Sequence, residues 1–178
     1  MKNFFKHLHL VNKHRFLVFI HCCKCGLFWR GLVHDLSKYS PVEFFDSVKF
    51  YYGTHSPIIE ARKSIGYSKA WLHHKGRNKH HIEYWCDSEL EVQPIMPYQY
   101  AVECVCDKLA ASKTYLGKNY TPTDLLTYWL KWDIDRSMNP KIREFFTNVF
   151  KDIANNGEKY ILNKKYMKKM YYEYVLKK

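Results

Sequence analysis

Apolar residues recur along most of this chain at steps of three and four, the period of an α-helix with one buried face. From residue 4 to residue 25 they form a helical pattern that Gly26 closes, and His7, His14 and His21 fall seven apart on one face of it. Residues 27–38 make a second run that ends near His34-Asp35. Ser40-Pro41-Val42-Glu43 reads as a capping box with proline in the first helical position, opening a helix expected to reach Tyr52 and stop at Gly53. Residues 54–66 read as loop, with room for one short helix after Pro57, and Ser68 caps a helix into His73 and His74 that Gly76 ends or kinks. Pro94 and Pro97 mark a connection, and a long helix follows from Pro97 to about Leu116. Thr121-Pro122-Thr123-Asp124 and Asn139-Pro140 open two more, the second stopping near Asn156-Gly157. After Glu158, Tyr166, Met167, Met170, Tyr171, Tyr174 and Val175 line one side, and Lys164, Lys165, Lys168 and Lys169 the other. No convincing strand alternation, repeat or low-complexity linker interrupts the pattern. The expectation is an all-α fold: one helical bundle of about seven to nine helices in a single domain, with its core at about 4–135 and amphipathic helices at about 140–178.

With 178 residues, 47% of them apolar and 17% aromatic, the chain is too rich in apolar side chains for disorder and long enough to bury a core. Its longest early apolar run, Phe16 to Ile20, is bounded by Arg15 and His21, far short of the roughly 18 residues a membrane span requires. No small-residue cleavage site follows a clean apolar stretch, so the expected location is the cytoplasm and no membrane partner is expected. The net charge of +12 favours anionic partners such as phosphorylated metabolites or nucleic acid, although a lysine-rich solvated surface accounts for it equally well. Cys22 and Cys25 form a CxxC, but Cys104-Val105-Cys106 does not supply the second pair that a zinc ribbon needs. The six cysteines therefore read mainly as small buried hydrophobes.

The densest chemistry lies at His73-His74-Lys75-Gly76-Arg77-Asn78-Lys79-His80-His81-Ile82-Glu83, which holds four of the ten histidines. A lone His14 and the pair His34-Asp35 precede it, and Asp107 follows inside an apolar helical pattern, where a lone buried carboxylate is costly unless paired or metal-bound. Imidazoles with carboxylates are a ligand set for Zn, Mn, Fe or Ni, softer than the all-oxygen set that Mg or Ca prefers. Adjacent helical residues point about 100° apart, so His34 and Asp35 can serve one centre only from a helix end, or by bridging two ions. The break at Ser37 to Pro41 fits a helix end. On an unbroken helix His74 and His81 would lie two turns, roughly 10 Å, apart, too far for one ion. Gly76 is therefore expected to break the helix and let the chain double back. His7, His9, His21 and His55 read as hydrogen-bonded core histidines. The terminal Lys/Tyr stripe reads as a solvated helix sooner than as a surface for single-stranded nucleic acid.

The ordered set His14, His34, Asp35 and Asp107 resembles the HD-domain superfamily, and Leu32-Val33-His34-Asp35-Leu36-Ser37-Lys38 is similar to the usual surroundings of its His-Asp pair. The block HHxxxNxHHxE at residues 73–83 resembles an unassigned bacterial and phage branch of that superfamily. The resemblance covers about residues 10–110, and beyond residue 120 only the looser likeness to the branch extends. It implies a helical bundle around a metal, most often one that hydrolyses phosphomonoesters or phosphodiesters, frequently of nucleotides. Members with extra histidines tend to hold two metals, and a minority of those are di-iron oxygenases. In the two-metal members the extra histidines are usually farther apart than seven residues, which leaves open the number of ions and which histidine of each pair binds.

On this reading the metal ligands are His14, His34, Asp35, His74, His80, His81 and Asp107, with His74 and His81 favoured within their pairs and His80 next. They would hold one or two divalent transition ions (Mn, Fe, Zn, Ni or Co). Asp35 would bridge ions or orient water, while Lys38 and Arg77 would meet charge on phosphoryl oxygens. Glu83, three residues after His80, would act as general base or as an outer partner of a ligand imidazole. Three functions compete. The first is a metal-dependent phosphohydrolase of a nucleotide or other small phosphorylated substrate. The second is a di-iron oxygenase of the same superfamily. The third is a non-enzymatic module that binds a nucleotide or nucleic acid around a structural metal.

Overall fold

A computed structural model describes residues 2–131 and 138–177. They form ten α-helices, joined by short 3-10 turns and closed by a π turn, and no strand occurs among the described residues. The all-α expectation holds. The expected limit of the core near residue 135 lies outside the described residues. The helix count exceeds the sequence estimate for two local reasons. Residues 57–65 form a full helix where mostly loop was expected, and the last amphipathic run splits at Leu162-Asn163 into two pieces.

Helix α1 (Lys2–Lys24) buries His7, Val11, His14, Val18, His21 and Cys22, a stripe in which every seventh position is histidine. It packs on α2 (Phe28–Val33) and on α6 (Tyr98–Leu116). Gly31 permits the close approach of α2: a Cβ there would lie 2.8 Å from the Cys22 Cβ and 3.1 Å from the Phe19 Cα. Helix α3 (Pro41–Lys49) stops three residues short of Tyr52. Helices α4 (Pro57–Ile65) and α5 (Lys69–Lys75) are each capped by a serine, Ser56 and Ser68. The α5 start is also tied to α3, because the Asp46 carboxylate accepts from the Ala70 N–H at 2.9 Å.

Helix α6 is the spine, with Ala101, Val102, Val105, Cys106, Leu109 and Ala110 fully buried. Behind it lie α7 (Thr123–Lys131), α8 (Pro140–Asn156), α9 (Glu158–Ile161) and α10 (Lys164–Tyr171). Their core is aromatic: Trp129 meets Phe146 and Phe150 edge-on at 5.6 and 5.3 Å, and Tyr171 meets Phe145 at 5.6 Å. The Tyr171 hydroxyl donates to the Met96 carbonyl at 2.8 Å, so its polar end is satisfied. Burial of each such ring contributes about 1.5–3 kcal/mol. Cys22, Cys25, Cys104 and Cys106 are buried free thiols. No helix of the described residues is long and apolar enough to cross a membrane. The rear layer thus holds α6 firmly, and its Glu103 and Asp107 meet histidines carried by α1, α2 and the α5 turn.

Candidate metal centre

The His34-Asp35 pair sits where α2 ends. His34 leaves the helix with extended backbone (φ −52°, ψ 129°), and Asp35 turns left-handed (φ 53°, ψ 29°) before the 3-10 turn Leu36–Tyr39. Asp35 is the only non-glycine residue with positive φ among the described residues. Aspartate tolerates that region better than most residues, and the reversal lets two neighbours aim at one place. Arg15 pins the corner: its Nε donates to the His34 carbonyl at 2.7 Å and its Nη2 to the Leu32 carbonyl at 3.0 Å.

The second cluster forms where Gly76 ends α5. The Arg77 and Asn78 N–H groups both reach the His74 carbonyl at 3.1 Å. The Asn78 carboxamide donates to that carbonyl and to the Ser37 hydroxyl, each at 2.9 Å. The chain doubles back as expected, bringing the His81 ring 4.7 Å from His74 and 4.2 Å from His80.

Asp35 stands at the centre, 1% exposed. Its Oδ1 lies 3.2 Å from His74 Nε2 and 3.3 Å from His80 Nε2. Its Oδ2 lies 3.2 Å from His34 Nε2 and 3.8 Å from His14 Nε2. Asp107 Oδ1 completes the second set at 3.0 Å from His14 Nε2 and 3.6 Å from His34 Nε2. Two groups with the spread of a coordination shell result: His14, His34, Asp35 and Asp107, and Asp35, His74, His80 and His81. The residues could hold a metal ion in each group. Bonds of about 2.1 Å place neighbouring ligand atoms roughly 3–3.5 Å apart. The Nε2 atoms of His14, His34, His74, His80 and His81 and both Asp35 oxygens are buried without a hydrogen-bond partner. So many buried polar atoms without a hydrogen bond in one place are unusual in a folded protein, and a metal ion held there would satisfy them.

Two carboxylates stand behind three of these rings, those of His34, His74 and His80. Glu103 Oε1 accepts from His34 Nδ1 at 3.0 Å and lies 3.3 Å from His80 Nδ1, the latter within ion-pair reach but not aligned as a hydrogen bond. Glu43 accepts from His73 Nδ1 at 2.6 Å and from His74 Nδ1 at 2.7 Å. A carboxylate on Nδ1 puts the proton there and leaves Nε2 as the free lone pair. His34, His80 and Glu103 also lie close enough to form a third ligand group. Their geometry is instead that of an orienting carboxylate, since both rings turn Nε2 toward Asp35.

Residues 3–152 match the family described as DUF5662, a family of unknown function. The chain belongs to DUF5662. No curated protein and no solved structure matches it. The DUF5662 match spans every residue of both ligand groups.

Charge in the centre follows from the same contacts. Burial works against ionised Asp35 and Asp107, yet His34 and Lys38 beside the first, and His14 and His34 beside the second, hold both carboxyls well below the usual range. Burial likewise opposes a proton on His74, but Asp35 and Glu43 outweigh it and raise its pKa to about 9. His14 and His81 are lowered, in each case chiefly by burial, and so stay neutral imidazoles. Lys38 places Nζ 2.7 Å from Asp35 Oδ2 with its side chain 32% exposed. The carboxylates of Asp35 and Asp107 raise its pKa against the effect of burial.

All seven expected ligand residues of this DUF5662 chain come together, and Lys38 joins them. Arg77 and Glu83 do not. Arg77 is exposed on the outside of the Gly76 turn, and no hydrogen bond or ion pair joins its guanidinium to the cluster among the described residues. The step of three from His80 to Glu83 assumes continuous helix, but His81 is extended (φ −81°, ψ 135°). Glu83 is therefore exposed, and its charge acts on Cys104 and Lys108 instead. Of the expected core histidines, His7 and His21 are buried, and the His21 Nδ1 bonds to the Cys106 carbonyl at 3.3 Å. His55 is half-buried beside Glu60, and His9 is exposed because it lies off the buried stripe of α1. Glu43 and Glu103 escaped the sequence reading. The spacing from Glu103 to Asp107, four residues on one helix, was the available signal for the second.

Proposed function

We propose that this chain is a metal-dependent phosphohydrolase of the HD type, acting on a nucleotide or another small phosphorylated substrate. The observation that carries the reading is the bridging stance of Asp35, which offers one oxygen to His74 and His80 and the other to His14 and His34. His14, His34 and Asp107 would hold one ion with Asp35 Oδ2, and His74, His80 and His81 a second with Oδ1. Ions held there would lower the pKa of water towards neutrality and neutralise charge on a phosphoryl group.

The chain's own groups do the rest. Lys38 keeps a permanent positive charge at the solvent-reaching edge of the centre, where it attracts an anionic substrate as a point charge. Asp35 and Asp107 remain ionised and so keep their affinity for cations. Glu43 and Glu103 hold the imidazoles in register. The net charge of +12 adds a long-range attraction for phosphate. A second reading is a di-iron oxygenase: five imidazoles with two carboxylates is a nitrogen-rich set that accepts iron as well as zinc or nickel.

Elemental analysis of protein purified without a metal-affinity column tests both readings. Two equivalents of Mn, Zn, Ni or Co, with phosphate release from a nucleotide panel, support the hydrolase. Two equivalents of iron with oxygen uptake support the oxygenase. A metal that is retained without either activity would leave a binding module around a structural ion. Asp35→Asn removes the shared carboxylate and should lose metal from both groups while circular dichroism keeps its helical signal. Full metal occupancy in that variant would overturn the assignment.

A further inference from the structure

Glu103 lies behind both halves of the centre. It is fully buried on α6, one turn before Asp107. Its Oε1 meets His34, from the His14/His34/Asp107 group, and His80, from the His74/His80/His81 group. Those two rings are 4.4 Å apart. Its Oε2 is occupied by Arg30, whose Nε and Nη2 approach at 2.7 and 2.6 Å, and the Arg30 guanidinium in turn rests over the Tyr100 ring at 4.9 Å. One oxygen therefore faces the two imidazoles, bonded to His34 Nδ1 and 3.3 Å from His80 Nδ1, and the other faces a guanidinium, which has only donors.

We propose that Glu103, oriented by Arg30, is a positioning residue shared by the two halves of the metal centre: it fixes the tautomers of His34 and His80 together and so couples the loading of one ion to the other. The inference rests on the cluster being a metal centre. An ion on His34 holds that ring and, through it, Oε1 of Glu103. The same oxygen then faces His80 already placed, so the second ring loses less freedom when its ion arrives. Arg30 gives the arrangement its polarity. Were residue 103 an amide, its oxygen would turn to Arg30 and its NH2 group to the imidazoles. A donor facing Nδ1 drives the imidazole proton to Nε2, the atom that must bind the ion.

That polarity makes a test with a sign. Co2+ is titrated into the ion-free full chain, followed by its visible absorption and by calorimetry, with thermal melting of each ion-free variant as a check on folding. The wild type is expected to take up two equivalents with positive coupling. Glu103→Gln should bind each equivalent roughly 10- to 100-fold more weakly and lose the coupling. Adding Arg30→Met to Glu103→Gln should restore much of the affinity, because the amide is then free to turn its oxygen to the imidazoles. Arg30→Met alone should retain both equivalents. A Glu103→Gln variant that binds as the wild type does overturns the proposal. So does a double variant weaker than Glu103→Gln, the additive result of a merely structural role. Wild-type protein that takes up no Co2+ would instead overturn the metal-centre reading itself.

Discussion

A single backbone reversal makes this centre. With Asp35 left-handed at the end of α2, its two oxygens face opposite sets of histidines, and Lys38, three residues on, returns to Asp35 Oδ2. An aspartate in that conformation costs about 1 kcal/mol or more, a strain of the kind that functional sites retain. Lys38 itself ligates nothing, so its part can be separated from metal binding. Lys38→Met should leave the metal content unchanged, because His34 still holds Asp35 ionised. If the cation meets charge on a phosphoryl group, turnover of the phosphorylated substrate should fall roughly 100-fold or more. Elemental analysis beside steady-state kinetics separates the two effects. A variant that loses its metal would make Lys38 a structural counter-ion, and one with full turnover would remove it from the chemistry.

Among the elements, the turn after α5 decides whether the second group exists. Seven residues separate His74 from His81, and only the break at Gly76 and the Asn78 carboxamide, bonded to the His74 carbonyl and Ser37, bring their rings together. Asn78→Ala should weaken the ion held by His74, His80 and His81 severalfold or more and barely affect the ion on His14, His34 and Asp107. Stepwise Co2+ titration reads this directly, and equal weakening of both equivalents would contradict it. This turn also marks how far the sequence could be read. The helical period, the helix end at His34-Asp35 and the doubling back at Gly76 are local properties and legible in the spacing, whereas the set His14, His34, Asp35 and Asp107 stands out through its resemblance to the HD-domain superfamily. Glu43 was hidden because the capping box already explained it. Its N–H does bond to Ser40, but its carboxylate turns to His73 and His74. Glu103 was hidden among the apolar residues of α6, since its partners Arg30, His34 and His80 are distant in sequence. Glu83 follows His80 by three residues, but the chain is extended at His81 and Glu83 is exposed. Local pattern brings out the candidate ligands, whereas the carboxylates behind them depend on how elements pack.

Across the whole molecule, the histidine stripe of α1 contributes to the acid sensitivity of the fold. His14 belongs to the first ligand group, but His7 and His21 are buried outside both groups, and burial above all brings the pKa of each down to about 4. His7 packs against Phe44 at 5.2 Å and Tyr51 at 5.8 Å, with its Nδ1 unpartnered. The unfolded chain takes up a proton on each of these residues near pH 6.5, and the folded chain refuses it until about pH 4. Between those values the unfolded state binds more protons, so stability is complete above pH 6.5 and is lost as the pH falls towards 4. His7→Phe keeps an aromatic ring against Phe44 and Tyr51 and removes one titrating group from the stripe. Its urea midpoint should therefore decline less steeply than the wild type's across that window. The gap should reach the order of 1–2 kcal/mol near pH 4.5, once solvent screening of the ring is allowed for. Both proteins must be measured with a chelator present, so that acid release of metal from His14 and its partners does not enter the comparison. Parallel declines would mean that His7 takes up its proton within the fold and adds nothing to the acid sensitivity.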